Sequence, residues 1–438
     1  MELSVQTLKK VLCGIFYFVL LELAYFFIEV KSFSYVGFNW NFSIVKFLLG
    51  WILYAIVCIV VMAQNRTVIS TVFYYVVFFL SIAPCIVLYQ FDNTQLWMIL
   101  YQVTMLIFMI SIVNMLYCKK LSIPFKLSST SRAGYGGEIH QYNITFILIA
   151  LFFGYSLIKN GVPNFNSLGF YDVYKIRADS SFSFFDVTAQ NLMCRILIPL
   201  EMAYSLRNCK WMRALVTIIV QLYIYSITGF KTYLFVIAIV IGMEILKHFP
   251  MQKKMLVAFT LVMLIGLGIY ALTNNLMFAA LLFNRTIFFP AKIKWAYMDF
   301  FSQNPFPYFA DTTIGHFLRL KSPYGQPIVY LIGAEYFGKP EMWTNTGFLA
   351  DAYANMGWLG GILISLIAAV VLKMIDFVNS YSDDKTSAIV FILYFIALND
   401  GSLISNLVSG GLLLCIFVVG LLNNHENNTD EIRNSADP

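Results

Sequence analysis

Three arginines, Arg177, Arg285 and Arg319, stand in two polar intervals of an otherwise apolar chain. A guanidinium offers a planar fork of donors that matches phosphate oxygens and stays charged at any working pH. Arg285 follows an apolar run and precedes Phe288-Phe289-Pro290. That places it at a bilayer surface, the depth of a lipid-linked diphosphate. The competing reading is an arginine that snorkels to headgroups or pairs with a loop acid. His316 and Arg319 lie three apart in Gly315-His316-Phe317-Leu318-Arg319. A helix there would set a proton acceptor and an anion binder on one face. A base beside an anion binder is the constellation that glycosyl transfer to a sugar hydroxyl uses. Glu335, Asp311 and Asp299 are rival bases.

Further candidates stand near these. Tyr308, Tyr324, Tyr330, Tyr336, Trp295 and Trp343 occur in the second interval, where aromatic faces stack on sugar rings or serve as interfacial anchors. Arg195 and Glu201 fall inside an apolar segment, where a charge costs ~3 kcal/mol on insertion scales and usually has a purpose. Arg195 faces the same outer region; Glu201 is deeper and fits a structural pair with another helix. Lys231, in Thr228-Gly229-Phe230-Lys231-Thr232, sits on a tight turn where it meets a headgroup or anchors at the interface. Asp351 and Asn355 stand one turn apart in a stretch whose Gly347, Ala350, Ala354, Gly357 and Gly361 form a small-residue stripe for close helix packing. The segment Lys31–Ser43 has no acid, so the carboxylates that hold a metal in some lipid-sugar transferases are missing there. No Walker, HExxH or GxSxG pattern occurs. The seven cysteines show no CxxC spacing and read as small apolar residues. An enzyme of this kind is expected to work without metal or cofactor.

The elements that must position these residues are membrane helices. The chain is 60% hydrophobic and 12% charged over 438 residues, against roughly 25% charged in a soluble domain. The expected fold class is all-α, a polytopic bundle forming a single integral membrane domain. At ~20 residues per span about a dozen fit: 11–30, 44–62, 68–89, 96–117, 144–158, 191–206, 214–228, 231–246, 255–273, 347–371, 388–398 and 404–422. The run Val11–Val30 is too long for a cleavable signal core and reads as an uncleaved first span. With the N-terminus inside, Lys and Arg concentrate on inner segments while the short outer turns hold only Lys31, Lys46 and Lys231. The intervals 159–190 and 274–345 then lie outside. Between them they carry nine basic residues, which suggests an anionic, partly sugar-like ligand. The first holds a short surface helix near Tyr171–Asp179. In the second, the apolar run Leu276–Phe289 re-enters the membrane or lies along its interface. The tail 423–438 is polar and cytoplasmic. No nucleic-acid recognition signature is present.

The layout resembles the bacterial O-antigen polymerase family, the oligosaccharide repeat-unit polymerases. The resemblance rests on the span count, two long outer loops with arginines, the Thr228–Thr232 turn and the stretch Asn345-Thr346-Gly347…Asn355-Met356-Gly357-Trp358-Leu359-Gly360. It implies an inner-membrane glycosyltransferase, with both termini cytoplasmic, that polymerises oligosaccharide units linked to undecaprenyl pyrophosphate. The product would be an O-antigen or capsule-type polysaccharide, made at the outer face. Membrane lipid and a chain-length regulator protein would be further partners. Carried onto this chain, Arg177 and Arg285 would hold pyrophosphate or acidic sugar groups, with Arg195, Lys231, Arg319, Tyr324 and Asp351 as further substrate contacts. His316, or else Glu335, would take the acceptor proton. Two alternatives stay open: a related O-antigen ligase, and a lipid-sugar flippase, which needs polar sites at mid-membrane.

Overall fold

The computed structural model describes residues 5–64, 66–118, 137–163, 182–379 and 386–423. Among these the chain is all-helical. Ten helices are long and apolar enough to cross a membrane, so a multi-pass membrane protein is what the fold defines. Nine of the twelve expected spans are among these ten, the tenth being Leu276–Gln303, and the other three expected spans differ in kind. Lys231–Ile245 has 15 residues, and 191–206 is part of a longer helical stretch, 184–207, interrupted by a π-helical turn. Thr386–Ala397, at 12 residues, confirms the brevity expected of span 388–398.

Contacts divide the chain into two compact units. One comprises Met1–Leu121, Pro250–Lys373 and Phe395–Asn406; the other comprises Ser122–Phe249, Met374–Tyr394 and Leu407–Pro438. In the first unit, Ile69–Phe91 is apolar on all sides and buried throughout its spanning window, as an all-round hydrophobic helix must be. Around it pack Gln6–Val30, Ile44–Met62, Leu96–Cys118 and Met251–Thr273. The ends are matched by specific contacts. Lys10 donates to Gln252 at 2.8 Å, which joins the starts of Gln6–Val30 and Met251–Thr273. At the opposite end Phe91 stacks on Tyr25, with ring centroids 5.8 Å apart, and on Trp40 at 4.7 Å. Val30, Phe91 and Thr273 therefore share one end of this unit.

That end is where Leu276–Gln303 lies. Its 28 residues could cross a membrane by length and composition, being about 42 Å long at 1.5 Å per residue. It packs alongside other helices of the unit, with Leu282 and Phe283 against Gly266 of Met251–Thr273 and with Ala291 and Met298 sharing a small cavity with Cys85 and Met98. Along its length it meets Glu29 (through Asn284), Gly37 and Asp92 (through Lys292), and Gln95 (through Trp295 and Asp299). All four partners are helix ends or turns of the same end. Both ends of Leu276–Gln303 thus lie at the same end of the unit, as either expected placement of Leu276–Phe289, re-entrant or interfacial, requires.

Phe348–Asn379 is broken at Met356–Gly357. Gly357 has φ 60° and ψ −141°, a conformation essentially restricted to glycine. The break frees a short first piece, 348–355, from the long second piece. Asn355 uses it: its side-chain oxygen accepts from Phe309 N at 2.7 Å and its carbonyl accepts from Tyr308 N at 3.2 Å. Glycine at 357 therefore serves a turn, and Gly361 serves close packing against Tyr101, so the stripe read as packing alone has two functions.

Candidate functional site

Four cations of the second interval stand exposed: Arg285, Arg319, Lys321 and Lys339. No carboxylate of the described residues lies within ion-pair distance of any of them. Arg285 projects from Leu276–Gln303 with its guanidinium 5.6 Å from the Phe289 ring centroid. It sits in a π-helical segment, Ala280–Phe288. Such segments insert an extra residue into a helical turn and recur at functional sites. Thr286 donates to Leu281 O at 2.8 Å and supplies the matching side-chain bond.

Two lysines counted as outer-loop charge are not available to a ligand. Lys292 is 8% exposed and pairs with Asp92 at 2.5 Å while also donating to Gly37 O. Lys294 is 2% exposed and donates to Asn399 at 2.6 Å. Both belong to the buried face of a helix, a position that loop composition alone does not reveal.

His316 and Arg319 are exposed, but they do not share a helical face as a helix over the pair would require. The helix Thr313–Phe317 ends before Arg319, whose φ is 54°. Its backbone turns in the left-handed region, with Arg319 N bonded to His316 O at 3.2 Å. Tyr308 and Phe309 also have positive φ, 52° and 63°. Left-handed conformations of non-glycine residues are uncommon and gather at functional sites. Glu335 is exposed on Ile328–Phe337. The other acids are engaged: Asp299 accepts from Tyr336 at 2.7 Å and from Gln95, and Asp311 accepts from Ile328 N at 3.0 Å. Burial is the main force holding the Tyr336 phenol above its usual range, with the Asp299 bond adding to it. Tyr324 spends its hydroxyl on Pro305 O at 2.6 Å and packs its ring on Phe300 and Phe301. It braces the loop while staying half-buried. Trp295 and Trp343 pack edgewise on Tyr336 and Tyr330. Asp351 is half-buried on the short piece 348–355, with Asn355 donating to its carbonyl at 2.8 Å.

In the second unit, Arg195 also lies in a π-helical turn, Met193–Leu197. It is half-buried, and Tyr233 and Tyr394 are within its electrostatic reach. Gln221 bridges that turn to Lys231–Ile245 by donating to Cys194 O at 3.3 Å and Tyr233 O at 3.0 Å. Lys231 opens that helix directly after Gly229, at φ 64°, closes the preceding one. Glu201 takes the structural role: it pairs with Arg213 at 2.7 Å and accepts from Ser205. Lys159 pairs with Asp186 at 2.6 Å. Together with Ser183 it holds that carboxyl well below the usual carboxylate range. Arg177 and the helix expected near it lie outside the described residues.

Sequence reasoning missed Glu29 and Asn284, which are buried and bonded at 2.6 Å. The available signal was an acid near the end of an apolar helix, in Phe26-Phe27-Ile28-Glu29-Val30. Among the described residues no three His, Cys, Asp or Glu side chains gather as metal ligands. No family model, curated protein or solved structure matches the chain.

Proposed function

We propose that this protein is a membrane glycosyltransferase that extends a glycan carried on a lipid diphosphate, in the manner of an oligosaccharide repeat-unit polymerase. The observation that carries the reading is Arg285: a guanidinium exposed beside apolar and aromatic residues, with no carboxylate partner among the described residues, on a helix whose two ends lie at one end of its unit. A diphosphate leaving group on a lipid requires cationic donors at that boundary.

In this reading the acceptor sugar's hydroxyl oxygen attacks the anomeric carbon of the donor glycan. The bond from that carbon to the diphosphate oxygen breaks, and its electron pair leaves with the diphosphate. Arg285 holds the departing oxygens, with Arg319 as a second cation. The hydroxyl proton passes to the imidazole of His316 or to the Glu335 carboxylate. Preorganised charge at the leaving group supplies the larger share of such catalysis, and a positioned base adds ~10²–10⁴-fold.

Gene deletion followed by gel analysis of surface polysaccharide tests this. The expected pattern is loss of the ladder with a single repeat unit retained. Unmodified lipid core would point instead to a ligase, and precursor held on the inner leaflet to a flippase.

A further inference from the structure

We propose that Glu29 is a positioning residue for Arg285, acting through Asn284; the inference rests on the role given to Arg285 above. Two π-helical segments face each other in the first unit, Tyr25–Val30 and Ala280–Phe288. Glu29, fully buried in the first, accepts from Asn284 Nδ2 of the second at 2.6 Å. Asn284 is 5% exposed, and the next residue, Arg285, points outward.

Other contacts fix the same segment. Leu282 and Phe283 pack against Gly266, where a Cβ would collide with both side chains. Phe288 lies against Tyr25, with ring centroids 5.4 Å apart. Of these anchors only Glu29–Asn284 is directional and polar. A π-helical turn carries one residue more than an α-turn, so relaxing it to α-helix would rotate Arg285 by about 100° around the helix axis. A buried acid on an apolar helix is costly unless it serves a purpose. Here the purpose is to keep Asn284 turned inward, and therefore Arg285 turned outward.

The test combines two readouts. In the first, chain growth is measured in membranes. Glu29→Leu removes the acceptor and is expected to lower growth on the order of 10²-fold, as misplacement of a catalytic group does. Glu29→Gln keeps an acceptor for Asn284 and is expected to retain activity near the parent level. The second readout needs no activity: Arg285→Cys is labelled with a membrane-impermeant maleimide, alone and with Glu29→Leu or Asn284→Leu. The labelling rate should change with either partner lost and stay constant with Glu29→Gln. Unchanged rates in both leucine variants would overturn the proposal. If the parent protein builds no polymer at all, the function assigned above falls, while the labelling still decides the positioning.

Discussion

Arg285 is better probed by lysine than by alanine. Both substitutions remove the planar donor fork, but Arg285→Lys keeps the charge, and lysine is not an equivalent at a bidentate phosphate site. Arg285→Lys should therefore reduce chain growth nearly as far as Arg285→Ala, with membrane insertion and protein level unchanged; a lysine variant of parental activity would reduce the contact to simple charge attraction. The base is separated by its own pair of variants. His316→Gln is expected to cost ~10²–10⁴-fold in transfer rate and Glu335→Gln little, and the reverse ranking would move the base to Glu335. At this scale the sequence was informative about residue type and poor about engagement. It marked Arg285, His316 and Glu335, all of which stand exposed. It could not show that Tyr324 spends its hydroxyl on Pro305, or that Lys292 and Lys294 are buried. The burial of the lysines depends on which face of a helix meets a neighbour, and loop composition carries no such phase.

The elements owe their shape to breaks in regular helix. Gly357, at φ 60° and ψ −141°, lets Phe348–Asn379 turn so that Asn355 can bind the backbone of Tyr308 and Phe309. Gly357→Ala forces a side chain into that conformation and is expected to cost about 1–3 kcal/mol, read as a lower midpoint of thermal unfolding in detergent. The small-residue stripe had pointed to packing, since spacing alone gives no sign of a positive φ. The π-helical turns left even less trace, because an inserted residue in a uniformly apolar helix does not disturb its hydropathy. The Lys159–Asp186 latch makes a pH-dependent element. The Asp186 carboxyl is held down first by the Lys159 ammonium and then by Ser183. A carboxyl depressed in the folded state contributes stability that is fully present above its unfolded value of about 4 and disappears as pH falls through its lower folded value. Protection of the helix Phe184–Leu192 against hydrogen exchange, taken relative to the intrinsic rate at each pH, should accordingly be full at about pH 5 and fall below that range. Asp186→Asn should show the lower protection at every pH.

The whole molecule is a multi-pass helical membrane protein, and its membrane class was plain from composition. The span count was read closely but not fully, because length and hydropathy cannot separate a helix that crosses a bilayer from one whose two ends return to the same side. Leu276–Gln303 passes both criteria, and its contacts with Glu29, Gly37, Asp92 and Gln95 bring both its ends to one end of the unit. Cysteines at Asn275 and Asn304 should thus react with an impermeant reagent from the same side of the membrane; labelling from opposite sides would make this helix a span and reverse the placement of everything between it and Phe348. The functional claim is tested most directly with purified protein in liposomes, supplied with a lipid-diphosphate-linked repeat unit. The account predicts glycans of increasing length from the parent protein and none from Arg285→Ala. Failure of the parent to lengthen the glycan, or equal lengthening by the variant, would contradict it.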